Sequence, residues 1–167
     1  ISMLRGINVG GQKSIRMAEL KSLYESLGFV YVETYVQSGN VVFGSAKKDP
    51  SKLAAVIEAK IVQSFGFDVS VFIRDSDDFQ RILDKNPFVN KRNEDPAKLH
   101  VTFLYSSPSK SQLTNLTIPD SGADEFFVGD RAIYLFCPEG YGRTKLSNTF
   151  FEKKLNNGAS VNPPLKR

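Results

Sequence analysis

The spacing of apolar positions divides the chain into short β segments and amphipathic helices. Ser2 to Arg5 reads as a short strand that ends in the loop Gly6-Ile7-Asn8-Val9-Gly10-Gly11. Met17, Leu20, Leu23, Tyr24 and Leu27 then recur at helical spacing, and Gly28 supplies a stop. Tyr31 to Gln37 and Val41 to Phe43 are rich in β-branched and aromatic residues. Ser38-Gly39-Asn40 between them is turn chemistry, which predicts a hairpin. Pro50 and Ser51 open a second helix with Leu53, Val56, Ile57, Ile61 and Phe65 on one stripe. Gly66 closes that helix, and Val69 to Ile73 forms a fourth strand. The resulting β-α-β-β-α-β order is the split βαβ pattern of ferredoxin-like folds.

Asp75 to Lys85 predicts a linking helix with Phe79, Ile82 and Leu83 facing inward, stopped by Asn86-Pro87. Lys91 to Lys98 is charged, carries Pro96 and reads as a boundary. The second half repeats the element order of the first. Leu99 to Tyr105 is a strand, Ser109 to Leu116 a short helix, and Glu125 to Val128 with Ala132 to Cys137 a hairpin around Gly129-Asp130-Arg131. After Pro138 to Lys145, Ser147 caps a helix that buries Phe150, Phe151 and Leu155. Pro163-Pro164 forbids a central strand beyond it. The expected architecture is therefore α+β, with two ferredoxin-like halves in tandem over residues 1–74 and 99–167. Residues 75–98 join them, and the second half is incomplete at its C-terminus.

Three blocks carry a family resemblance. They are Leu4-Arg5-Gly6-Ile7-Asn8-Val9-Gly10-Gly11, then Gln37-Ser38-Gly39-Asn40-Val41-Val42-Phe43, then Thr144-Lys145-Leu146-Ser147-Asn148 with Phe151 and Glu152. Together they resemble the bacterial family named domain of unknown function 1697, from the start of the chain to about Leu155. The resemblance implies tandem ferredoxin-like subdomains, no established activity and no catalytic residue. After Leu155 the chain departs from the pattern, which there implies a segment rich in Thr, Arg and Trp.

Composition narrows the functional classes. The apolar fraction is 41%, with 13 Phe and 6 Tyr, enough for packed cores without a metal or disulfide. A single cysteine, Cys137, excludes an internal disulfide and suits a reducing, cytoplasmic compartment. No apolar run approaches the roughly 18 residues of a membrane-spanning helix, so a membrane is not an expected partner. The opening residues are strand-like rather than a signal peptide. Lys and Arg outnumber Asp and Glu by 22 to 18, and the net charge of +4 permits an anionic partner without demanding one.

Candidate chemistry concentrates at two glycine-containing loops. Gly6 and Gly11 have P-loop spacing, but Gln12 stands where the lysine belongs and Lys13-Ser14 follow one residue late, which moves the ammonium off the phosphate. Consecutive glycines also let main-chain N–H groups converge on an anion, and here Gly10 and Gly11 are flanked by Arg5, Asn8, Lys13 and Arg16. The competing reading is that Gly10-Gly11 only turns the chain. Gly140-Tyr141-Gly142-Arg143-Thr144-Lys145 precedes a helix start near Asn148 and again pairs positive charge with main-chain amides. Gln37, Ser38 and Asn40 offer polar groups from the hairpin, or serve its turn.

The remaining polar residues have structural readings. Asp75, Asp77 and Asp78 fit a helix cap and first turn better than a magnesium site. His100 is the only histidine, on a face with Thr102 and Leu104, and Cys137 shares a face with Ile133 and Leu135. With one His and one Cys, no zinc site of the usual kind is possible. No acid–base pair or nucleophile is identified by spacing, so no catalytic residue, metal or cofactor is assigned. The leading expectation is a binding module for an anionic or phosphate-bearing ligand in a cleft between the two halves, near the two loops. The alternatives are nucleic-acid binding through a basic surface, with Phe103, Tyr105, Tyr134 and Phe136 available to stack bases, and assembly through aromatic sheet faces.

Overall fold

The computed structural model describes residues 1–35, 37, 39–114, 116 and 122–155, which fall into two compact units, Ile1–Asp78 and Phe79–Arg167. The first unit runs β1 (Ser2–Leu4), α1 (Met17–Ser26), β2 (Val30–Tyr35), β3 (Asn40–Gly44), α2 (Pro50–Phe65) and β4 (Val71–Ile73). Its sheet has the order β2-β3-β1-β4, and every neighbouring pair is antiparallel. Strand β1 lies inside the sheet and pairs Ser2 with both Val41 and Ile73. That central position explains why three residues suffice to hold it.

Alternation along the strands sends Leu4, Val32, Val41, Val71 and Ile73 to one face. There they pack against Leu20, Leu23 and Tyr24 of α1 and Leu53, Ile57 and Ile61 of α2. Burying each such side chain stabilises the fold by roughly 1.5–3 kcal/mol. Tyr24 adds a polar contact, its hydroxyl lying 2.7 Å from Ser2 Oγ, while burial pushes its phenol pKa well above the ordinary range. Phe29 and Phe43 close the cluster with ring centroids 4.6 Å apart.

Local chemistry sets the ends of α2. Asp49 is the cap: its Oδ1 accepts from the amides of Ser51 at 3.0 Å and Lys52 at 3.2 Å, with Pro50 at the first helical position. Gly66, at φ +77°, closes the other end by donating to the Val62 carbonyl at 2.9 Å. Val56, expected on the buried stripe, is 43% exposed. Strand β2 is also less regular than its sequence implies. Its register with β3 shifts between Val30 and Glu33, and Tyr31 takes φ +52° at that bulge.

The second unit takes in α3 (Ser76–Asp84) from Phe79 onward, then α4 (Pro87–Asn90), β5 (Leu99–Phe103), α5 (Lys110–Thr114), β6 (Glu125–Val128), β7 (Ala132–Phe136) and α6 (Asn148–Lys154). The antiparallel sheet order is β5-β7-β6. On one face Leu104, Ile133, Leu135 and Cys137 pack with Phe151 and Leu155. On the other, Ile82 of α3 and Phe88 of α4 cover Val101, Ala132, Tyr134 and Phe136. The charged stretch 91–98 lies within this unit, where Arg92 stacks on Phe88 and Phe136 and pairs with Glu94 and Glu125. Leu83, expected to face inward, is 42% exposed. Among the described residues no helix is long and apolar enough to cross a membrane. The expected irregular segment after Leu155 lies outside the described residues, as does Ser38.

Gly39 marks the tightest point of the first unit. It takes φ +78°, and a Cβ there would lie 2.6 Å from Ile7 Cδ1 and 2.9 Å from Leu4 Cβ. Gly39→Ala is expected to lower the unfolding free energy by about 3 kcal/mol, from overpacking added to left-handed strain. Gly10→Ala, at φ +61° but with nothing within 4 Å of the added carbon, is expected to cost only about 1 kcal/mol. Urea denaturation of the two variants measures the difference, and equal losses would show that the close approach at Gly39 is unimportant.

Candidate functional site

The segment between β1 and α1 folds as a miniature hairpin. The Asn8 amide donates to the Lys13 carbonyl at 3.2 Å, and the Gln12 amide to the Val9 carbonyl at 3.2 Å. Gly10 and Gly11, at φ +61° and +75°, form the exposed tip. Positive φ at both central residues is what a two-residue hairpin turn of the primed type demands. The two glycines thus turn the chain.

Asn8 fixes this hairpin to its surroundings. Its Nδ2 donates to the carbonyls of Ile15 and Gln37, each at 3.0 Å, and its Oδ1 accepts from the Ile15 amide at 2.9 Å. One side chain therefore ties both ends of the loop to the β2–β3 turn. The Leu4 amide donates to the Gly39 carbonyl at 3.0 Å, and the Arg5 amide to the Ser70 carbonyl at 2.9 Å. Arg5, Gly6 and Lys13 line a cavity of about 490 Å³ together with Glu58, Asp68 and Ser70.

The cavity carries both signs of charge. Lys13 Nζ donates to the Asp68 carbonyl at 2.6 Å, and Glu58 Oε1 accepts from the Val71 amide at 2.8 Å. Gly6, at φ +69°, leaves open space where a side chain would project. Two basic and two acidic residues thus line the same open space. Glu58, Asp68 and Ser70 were not singled out from the sequence. The one available signal was that Glu58 is the only acid in α2.

The other candidate residues are placed as follows. Arg16 precedes α1, where its amide donates to Glu19 Oε2 at 3.4 Å, and it does not line the cavity. Gln37 is exposed and contributes its carbonyl to Asn8, while Asn40 is buried at the start of β3. Gly140, at φ +92°, leads into a tight turn over Tyr141–Arg143 in the second unit. Arg143 there is exposed and 3.8 Å from Glu139, and Lys145 is exposed as well. Asn148 opens α6, accepting from Thr102 Oγ1 at 2.9 Å and donating its amide to the Tyr141 hydroxyl at 3.2 Å. The structure brings together Arg5, Asn8 and Lys13 within the first unit; Arg143, Lys145 and Asn148 belong to the second.

Several polar residues have structural work. Asp75 Oδ1 accepts from the Asp78 amide at 2.7 Å, capping α3, and Asp78 lies 3.7 Å from Arg74. The His100 and Tyr141 rings are 4.8 Å apart. Among the described residues no group of three His, Cys, Asp or Glu side chains gathers as a metal site. Of the aromatic residues considered for base stacking, Phe103 and Tyr134 are buried, Phe103 against Phe79 with centroids 5.2 Å apart and Tyr134 in the cluster that includes Phe88. Only Tyr105, 40% exposed, is open among the four.

Fold and site together define an α+β protein with two small antiparallel sheets and a mixed-charge cavity beside a pinned loop. The chain belongs to the family described as protein of unknown function, DUF1697, which matches residues 1–134. The match ends within β7, short of the Thr144–Asn148 block. The chain is also similar in structure to the conserved bacterial protein SP0830 from Streptococcus pneumoniae, with 25% identity and a TM-score of 0.63. That likeness covers 93% of this chain and 97% of the other, extending past the family match. No curated protein matches the chain.

Cys137 is fully buried, and desolvation lifts its thiol pKa from 9.0 to about 11. Because the folded state disfavours the thiolate, this group's contribution to stability is complete below about pH 9 and is lost as pH rises toward 11. The native protein at pH 8 is expected to resist a thiol-specific chromogenic reagent and to react within seconds once unfolded in guanidinium. Rapid native labelling would show that the site opens.

Proposed function

We propose that this protein is a binding module for a small anionic molecule that also carries hydroxyl or amine donors, such as a sugar phosphate. The observation that carries the reading is one cavity lined by Arg5, Gly6 and Lys13 together with Glu58 and Asp68. An arginine and a lysine lining one cavity offer charge-assisted bonds, the strongest polar contacts available to a phosphate or carboxylate. The two carboxylates disfavour a bare polyanion and favour a ligand with donors of its own. The reading rests on the first unit alone.

In this reading each unit is a ferredoxin-like half. The first supports it by its β-α-β-β-α-β sequence and β2-β3-β1-β4 sheet. The second supports it by an order, β5-β7-β6, that corresponds to the first without its last strand. A buried, unpaired cysteine is consistent with a cytoplasmic location. Covering of the second sheet's aromatic face by α3 and α4 disfavours nucleic-acid stacking there.

A thermal-shift series with ribose 5-phosphate, glucose 6-phosphate and inorganic phosphate tests the proposal. A ligand at a hundredfold excess over its Kd adds about 2.7 kcal/mol, which for a chain of this size raises Tm by roughly 5–10 °C. Arg5→Ala combined with Lys13→Ala is expected to abolish the shift. A shift that survives in the double variant, or no shift with any of the three, would reject the site.

A further inference from the structure

A second cavity in the first unit, of about 750 Å³, opens between the end of α1 and the connection from β3 to α2. Phe29 and Leu53 are buried at its floor, and Val56 is 43% exposed on its wall. Gly28, at φ +79°, also lines it and has no atom within 4 Å of where a side chain would begin. Lys47, Lys48 and Lys52 are exposed at the rim. This size and this mostly apolar lining with a few charges at one end are typical of small-molecule sites.

The charges at the rim are unbalanced. Asp49 is the only acid lining this cavity. Its Oδ1 is occupied by the α2 cap, and its Oδ2 lies 3.8 Å from Lys52 Nζ. Among the described residues neither Lys47 nor Lys48 pairs with a carboxylate. The cap also occupies the first amides of α2, so the ammonium groups rather than the helix end would meet an anion. Three clustered cations repel one another, and apolar surface at Val56 is left against water. One kind of occupant relieves both.

We propose that this cavity binds a single anionic amphiphile, a molecule with an alkyl or acyl chain ended by a phosphate or carboxylate. The chain lies against Leu27, Phe29, Leu53 and Val56, and the head group meets Lys47, Lys48 and Lys52. The lysine stems are long enough to follow the head group while their own methylenes cover the chain. The site is separate from the Arg5–Lys13 cavity: the two share no lining residue.

Isothermal titration calorimetry with n-decyl phosphate, kept below its micelle concentration, tests the assignment. The expected result is saturable binding of one molecule per chain, with n-decanol and inorganic phosphate each at least roughly tenfold weaker. Val56→Glu, at an exposed position that the fold tolerates, is expected to remove binding. Lys47→Glu with Lys48→Glu is expected to weaken it roughly tenfold, and Arg5→Ala with Lys13→Ala to leave it unchanged. Binding that is unaltered by Val56→Glu, equal affinity for n-decanol, or no saturable binding by the native chain would each overturn the proposal. Adsorption to phosphatidylglycerol vesicles without binding of monomeric decyl phosphate would assign the lysines to a lipid surface and overturn it too.

Discussion

The arrangement of the first unit depends on how closely the loop after β1 approaches the turn between β2 and β3. Gly39 lies against Ile7 and Leu4 with no room for a methyl group, and Asn8 bridges from the same turn to Ile15. Main-chain groups at such a close approach need partners, and one amide side chain meets three at once: the Gln37 carbonyl of the turn and both the amide and the carbonyl of Ile15. Each bond is worth roughly 1 kcal/mol net, and together they fix the main chain of the loop that carries Lys13 into the lining of the cavity. The polar site is therefore a consequence of backbone packing.

The same unit shows how charge and burial are separated along α2. Leu53, Ile57 and Ile61 face the sheet, while the next residues round the helix face two different cavities. Glu58 turns toward the polar cavity and gives its carboxylate to the Val71 amide. Val56 turns toward the apolar one. A helix that packs on a sheet by one narrow stripe has flanks free for such work.

Much of this was legible in the sequence. Strand alternation placed His100 with Thr102 and Leu104 and placed Cys137 with Ile133 and Leu135, and Cys137, Ile133, Leu135 and Leu104 do share one core. Gly28 and Gly66 stop their helices at positive φ, and Ser147 caps α6 through the Phe150 amide at 3.3 Å. What escaped was set by tertiary contact. The bulge at Tyr31 leaves no mark in a run of β-forming residues. The Asp49 cap was passed over because Pro50-Ser51 is itself a good opening. At the candidate site, Arg5 and Lys13 were legible as basic residues beside glycines. Their carboxylate counterparts Glu58 and Asp68 come from distant segments, and only the fold brings them near. The turn role of Gly10-Gly11 was open in the sequence and is decided by the Asn8–Lys13 and Val9–Gln12 bonds.

Asn8 holds the β1–α1 loop in place. Amide hydrogen exchange on the Asn8→Ala variant tests it most directly. Protection at Ile15 is expected to be lost, since its N–H donates to Asn8 Oδ1, while Met3 and Phe72 in the central strands exchange as slowly as in the parent chain. Unchanged exchange at Ile15, or uniform loss of protection through the whole sheet, would contradict it.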